Sequence, residues 1–415
     1  MKRSLFFAFL CVVIAATLSA CSEMSTTPPH GERTPITTDV AWTVIHREPK
    51  ISLNSIRFDP SGQFGIALSY YDGRGSYTTD KGNSWQPLNL TQWLGQAGSF
   101  DFGKPTIADA QTAWLEVSSI QDRRLFLGST SNGGHSWTFK EFPHSDIFNT
   151  SIRSSLSTIC VFQRGQLADW GSWSRRREFY ISVDGGTSWS QRSLPDYVVD
   201  MALVEGRTIV TATASDSTRY AISSLLISTD EGQSWRTVLR DTLWYFHGVF
   251  FPTPSAGIVI AARYRTDIDS TRLRQAVFRT LDAGNTWTKT YEFSIPWRDK
   301  YYSSIMSAAI LFAVPPTWIL HIHYSFTGSG GLNIDRYRSD DNGLTWAYLE
   351  NLRGYYYEPA FAPPDWKVGI RGNQMTQDGG RTWQVKSWLI TRAIFPNPYE
   401  VFAVKDSLIL RGTAP

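Results

Sequence analysis

The stretch Arg279–Trp287 reads RTLDAGNTW and runs into a strand-like TKTYEF at Thr288–Phe293. An aspartate, a glycine two positions on, a hydroxyl residue and a tryptophan describe a tight turn between two extended segments. Nearly the same letters return as TTDKGNSW (Thr78–Trp85), TSNGGHSW (Thr130–Trp137), SVDGGTSW (Ser182–Trp189), STDEGQSW (Ser228–Trp235), SDDNGLTW (Ser339–Trp346) and TQDGGRTW (Thr376–Trp383). The shared pattern, [ST]-x-[DN]-x-G-x-[ST]-W, occurs seven times at spacings of 37 to 59 residues. A period of that size marks a solenoid, a propeller or an array.

Each letter has a physical task. The side chains of Asp80, Asn132, Asp184, Asp230, Asp282, Asp341 and Asp378 can accept backbone N–H bonds two residues on and close the turn. The glycine, Gly82 in the first copy, supplies a positive φ. The hydroxyls of Thr78 and Ser84 can bond across the turn's mouth. Trp85, Trp137, Trp189, Trp235, Trp287, Trp346 and Trp383 then open the next strand and carry a large apolar surface. The pattern supplies neither a nucleophile nor an acid–base pair, so it reads as scaffold.

Between the turns the chain is equally regular. The first unit reads LNSIRF, FGIALSY, GSYTTD, turn, WQPLNL; the fourth reads VVDMALV, TIVTATA, SLLISTD, turn, WRTVLR. Each unit is four short strands rich in β-branched and aromatic residues, and no amphipathic helix stands out. The fold class is therefore all-β, a β-propeller of four-stranded blades. The ends complete the count. Ala41–Arg47, AWTVIHR, resembles the strand that follows a turn, and the C-terminal TRAIFPN, YEVFAV and SLILRGT resemble strands one to three. Joined, they make an eighth blade that leaves no free edge there; if the short unit Tyr355–Trp383 is not a blade, the count falls to seven.

The repeated motif resembles the BNR or Asp-box repeat, over most of residues 40–415. The look is nearest to propellers of the photosystem II stability/assembly-factor type. Sialidases, xyloglucan-degrading hydrolases and the sortilin ectodomain are more distant. The resemblance implies that the box turns lie on the outer side, away from any functional face. In the assembly-factor type, it further implies, a signal-bearing propeller presents an arginine patch to a membrane-protein partner.

The chain has 415 residues and a formal net charge of +3, too small to argue for nucleic acid or a membrane surface. MKRS, the apolar run Leu5–Thr17 and LSAC at Leu18–Cys21 read as a secretory signal over residues 1–20. LSAC resembles a bacterial lipobox, which makes Cys21 the lipid attachment site. The polar stretch to residue 39 then reads as a disordered tether, and 40–415 as the propeller. The expected setting is the bacterial cell envelope, at the outer membrane or facing the periplasm, with the lipid as the sole membrane contact and a monomeric body. Beyond Cys11 and Cys21 only Cys160 remains, so no internal disulfide forms, and Cys160 in STICVF reads as core.

Function is expected on the loops opposite the boxes, those joining strands two and three and those joining blades. Arginine and aromatic residues gather there, and the candidate contact face comprises Arg123, Arg124, Trp173, Arg175, Arg176, Trp244, Arg265, Trp297, Arg298, Arg353 and Tyr356. Guanidinium forks bind oxyanions, and aromatic faces stack on sugars or peptide side chains. The reading is a binding or assembly platform for a protein or glycan partner. The alternative is a glycoside hydrolase, which needs two facing carboxylates. Asp241, Asp267, Asp269, Asp299, Asp335 and Glu358 are the loop acids available, and nothing in their spacing selects a pair. The sialidase family's Arg-Ile-Pro start is missing. His321 and His323 share a strand face but have no third ligand nearby, and no metal or cofactor is expected; nucleotide and serine-hydrolase motifs are absent.

Overall fold

The computed structural model describes residues 33–415 apart from 95–99, 120–123, 143–149, 156, 164–176, 205–207, 216–221, 264–271, 297–302, 315, 327–331 and 354–357. The proposed signal and Cys21 thus lie outside the described residues. The chain forms eight antiparallel sheets, an eight-bladed β-propeller. Blade 1 runs Ser55–Phe58, Gly65–Leu68, Arg74–Thr78, Gln86–Asn89, in that spatial order. Blades 3, 4, 5, 6 and 7 repeat the arrangement, starting at Thr150, Tyr197, Tyr245, Ser303 and Ala360. In blade 2 the first-strand position is split between Asp101–Phe102 and Thr106–Ile107, which both pair with Ala113–Ser119. Blade 8 takes strands from both ends: Arg392–Asn397, Glu400–Lys405 and Leu408–Thr413, with Ala41–Arg47 paired to the last. The short unit that could have reduced the count to seven is a complete blade, Ala360–Val385. One helical turn, Thr91–Leu94, occupies a blade-to-blade connection.

The first strands touch one another along the ring, from blade 7 through 8 and 1 to 2, and from blade 3 to 6. They form the inner wall, and the apolar clusters lie between successive sheets. One such cluster joins Val210, Ala212 and Leu225 of blade 4 to Phe246, Val259 and Phe278 of blade 5. Cys160 is fully buried among Phe162, Phe179 and Met201, and burial pushes its thiol far up. A thiol reagent should therefore leave Cys160 unmodified in the native protein and react fully in denaturant, measured as thiols titrated per chain; rapid native labelling would contradict this packing.

The box turns explain themselves atom by atom. In the first, Asp80 Oδ1 accepts from Thr78 Oγ1 (2.8 Å) and from the Ser84 amide (2.9 Å), while Oδ2 accepts from Ser84 Oγ (2.6 Å). The Gly82 amide donates to Thr78 Oγ1 (3.0 Å). The carboxylate thus caps the amide four residues on, not two as the local pattern suggested. Two consecutive residues, not only the glycine, are left-handed: Lys81 has φ 62° and Gly82 φ 74°, as a type I′ turn requires. The tryptophan precedes the strand rather than opening it. Trp189, Trp287, Trp346 and Trp383 instead donate Nε1–H to the carbonyl of their own box glycine. Trp137 and Trp346 are buried, the other five half-buried.

Every described box carboxylate is held below its usual range. For Asp184 and Asp230 the Ser188 and Ser234 hydroxyls are the leading cause and the value falls to about 2. For Asp80, Asp282, Asp341 and Asp378 burial opposes, but the hydroxyl and amide donors outweigh it. A depressed carboxylate contributes stability above its unfolded value and loses it as pH falls through the folded one. Stability should therefore drop between about pH 4 and pH 2. Asn132 shows how the box works without a charge: its Oδ1 accepts from Thr130 Oγ1 and the Ser136 amide, and its Nδ2 donates to Ser136 Oγ. Asp230→Asn should consequently fold, lower stability at pH 7, and reduce the acid-side slope in urea titrations; an unchanged slope would remove the box from the linkage.

The repeats are also stitched to one another. Arg279 in the opening stretch donates Nε–H to the Asn342 carbonyl in the next box (2.8 Å), Arg338 reaches Gly379 in the one after (2.5 Å), and Arg411 reaches Lys81 (3.1 Å). The chain before the first strand joins this side too. Ile36 is buried, its amide donates to the Pro398 carbonyl, and Thr38 and Asp39 engage Lys386 and Trp388. The tether expected to reach residue 39 thus gives way to packed chain by Ile36.

Candidate functional site on the inner wall

The residues proposed for a loop contact face separate into three groups. Arg123, Trp173, Arg175, Arg176, Arg265, Trp297, Arg298 and Tyr356 lie outside the described residues, and Arg353 lies on a described strand whose end side chain is not described. Arg124 is committed to Glu141 through Nε (2.7 Å) and Nη2 (2.5 Å), and its guanidinium lies over Phe126. Trp244 corrects the expectation outright: it is 6% exposed, packs edge-on to Phe278 in the core between blades 4 and 5, and carries Lys289 over its ring. A tryptophan after a strand reads the same in sequence whether it faces out or in.

Ionisable groups instead converge on the inner wall. Arg57 sits on the first strand of blade 1, Lys104 between the two halves of the first strand of blade 2, Glu358 just before that of blade 7, and Arg392 at the start of that of blade 8. Glu358 Oε1 pairs with Lys104 Nζ, and Oε2 lies 3.6 Å from Arg57 Nη2. Burial would raise the Glu358 carboxyl, but Lys104, Arg392 and Arg57 outweigh it and hold it below the usual range. Lys104 is lowered as well, first by burial and further by Arg57 and Arg392, against the pull of Glu358. Three cations, Arg57, Lys104 and Arg392, act on the one carboxylate of Glu358, so the cluster carries more positive than negative charge. Arg392 marks the surplus, because its Nη1 is buried without any hydrogen-bond acceptor among the described residues. Tyr70 completes the group; burial raises its phenol, and Arg57 and Arg392 partly offset that. Lys104 and Glu358 keep 42% and 23% side-chain exposure, so the group is open to water. Tyr71, the next residue on the loop joining strands two and three, is 76% exposed.

Across the ring a second polar group is closed. Arg153 of blade 3 donates to Asp200 Oδ1 (3.0 Å) and to the Met201 carbonyl (3.2 Å) of blade 4, and Asp200 Oδ2 accepts the Val249 amide (3.1 Å) of blade 5. His247 occupies the bulge between Phe246 and Gly248. Burial pushes it down to about 4, against the opposing field of Asp200, so it is neutral at neutral pH.

The loop acids considered for hydrolysis do not form a facing pair among the described residues. Asp241 caps the amides of Leu243 and Trp244, and Asp335 is buried and accepts from Asn351. Asp267, Asp269 and Asp299 lie outside the described residues. His321 Nε2 accepts from Arg336 Nε (3.0 Å), which commits that nitrogen to blade packing. Sequence reading reached Glu358 but missed Arg57, Lys104 and Arg392. They sit in or beside strands, where a lone cation looks like a solvated side chain, and only the ring brings them together.

No family model matches this chain, and no curated protein does. Solved structures resemble this chain at low identity and with TM-scores below 0.5. The WD40 domain of SCAP from fission yeast is 9% identical, with 93% of this chain and 98% of that one covered and a TM-score of 0.47. An ulvan lyase of polysaccharide lyase family 25 is 10% identical, with 73% and 90% covered and a TM-score of 0.45. An uncharacterized protein from Listeria monocytogenes is 7% identical, with 86% and 98% covered and a TM-score of 0.46. These likenesses concern the fold alone.

Proposed function

We propose that this chain is an exported propeller, lipid-anchored through Cys21 in a bacterial cell envelope, that binds a protein or glycan partner through anionic groups of that partner. The observation that carries the reading is the cationic surplus around Glu358, with an arginine nitrogen left without an acceptor among the described residues. A wet concave wall with spare donors suits an oxyanion. Among the described residues the same geometry supplies no general acid for hydrolysis. A general acid must hold its proton near neutral pH, whereas Glu358 is held ionised, and Asp200 is locked by Arg153 and a backbone amide.

The anchor fits this reading. The packed chain at Ile36 meets Pro398, which joins strands one and two of blade 8 on the box-turn side. A lipid on Cys21 would hold the box turns toward the bilayer and turn the opposite face outward.

The test uses the full chain with Arg57, Lys104 and Arg392 all changed to glutamine, against immobilised uronate and sulfated oligosaccharides and acidic peptides. Wild type should bind at least one probe with steep salt dependence. The triple variant should lose about tenfold or more of that affinity with its melting temperature within a few degrees. Binding unaffected by the triple change would sink the reading, as would wild-type sugar cleavage that Glu358→Gln abolishes.

A further inference from the structure

We infer that Glu358 is the resident occupant of an oxyanion receptor built by Arg57, Lys104 and Arg392, and that an incoming carboxylate or sulfate group takes its place. The inference rests on the binding reading above and adds how the site is kept closed. Three cations from the first-strand regions of blades 1, 2 and 8 converge on one carboxylate contributed from blade 7. The carboxylate satisfies Lys104 with one oxygen and reaches Arg57 with the other at 3.6 Å, longer than a hydrogen bond. It has no hydrogen bond to Arg392, whose Nη1 stays buried and unsatisfied among the described residues. A buried guanidinium nitrogen without an acceptor is costly, and one carboxylate cannot serve all three donors here. A ligand oxyanion with three oxygens, such as a sulfate ester, or a carboxylate entering beside Arg392, could serve them together.

Glu358 is placed to yield in a way that Arg57 is not. It precedes the first strand of blade 7, Ala360–Phe361, rather than lying within it, whereas Arg57 is fixed inside Ser55–Phe58. A shift at Glu358 therefore breaks no ladder bond, while Arg57 could move only with its strand. The site is held by an internal anion in the absence of ligand, so weak bulk anions are excluded and only a group that outcompetes a tethered carboxylate enters.

The experiment is calorimetric titration of the full chain with sodium sulfate and, separately, sodium acetate, at constant ionic strength set with chloride. Wild type, Glu358→Gln and Arg392→Gln are compared. Glu358→Gln, which keeps the shape and removes the resident charge, should raise sulfate affinity about tenfold, and Arg392→Gln should lower it by a similar factor. Sulfate bound more tightly than acetate would assign the receptor to a sulfate-type group, and the reverse order to a carboxylate. Weaker binding by Glu358→Gln would make Glu358 a ligand contact rather than an occupant, and would overturn this inference while leaving the platform reading intact. Binding indifferent to both substitutions would overturn the receptor altogether.

Discussion

Glu350→Ala should cost about 3–5 kcal/mol of stability, the range for leaving a buried charge without its partner. The side chain joins blades 6 and 7. Its Oε1 accepts from Arg336 Nη1 (2.5 Å) and Arg371 Nη1 (2.7 Å), and its Oε2 from Arg371 Nη2 (3.0 Å). Arg336 has no exposed side-chain surface and Arg371 has 8%, so neither cation can turn to water when the carboxylate goes. Both guanidinium groups also face the box tryptophan Trp383, Arg371 at 4.1 Å from the ring centroid and Arg336 at 5.8 Å. The aromatic face softens the penalty without replacing two ion pairs. Urea unfolding of Glu350→Ala, Arg371→Ala and the double variant would measure the coupling. A coupling energy below about 1 kcal/mol would reduce the network to an ordinary surface pair.

Gly232→Ala is expected to cost about 2–5 kcal/mol, from two separate penalties. The residue has φ 77°, where a side chain costs about 1–2 kcal/mol. A Cβ there would also stand 2.4 Å from Cζ of Phe179, a fully buried ring of blade 3, and overpacking of that kind costs about 1–3 kcal/mol. Gly185 separates the two penalties: it has φ 71°, and a Cβ added there would meet nothing within 4 Å, so Gly185→Ala should show the backbone cost alone. Equal losses at the two positions, by urea unfolding, would mean that the close approach to Phe179 contributes nothing.

The contrast between those glycines shows where sequence reading stops. The motif requires glycine at position 232 for its φ, and that much is readable in eight letters. That the same glycine abuts the preceding blade is a property of how sheets stack. Gly82 meets Phe402 of blade 8 in the same manner, across most of the chain's length. Arg279 carries the same lesson. It stands one residue before a box and looks like a solvated cation, yet it bonds the next box 63 residues away.

Short-range periodicity and turn chemistry made the local features legible: four-stranded units, seven boxes, an eighth blade drawn from both termini, and a buried Cys160. These can be read from the letters because a period-2 strand and an Asp-x-Gly turn specify their own geometry within a few residues. Which charges meet is a different matter, fixed by closure of the ring. Arg57, Lys104, Glu358 and Arg392 lie as far as 335 positions apart, and they become neighbours because a ring brings the first strands of its blades to one wall. The same stacking drew Trp244 inward from an expected contact face, since burying a large ring between sheets removes more apolar surface from water than leaving it on a loop.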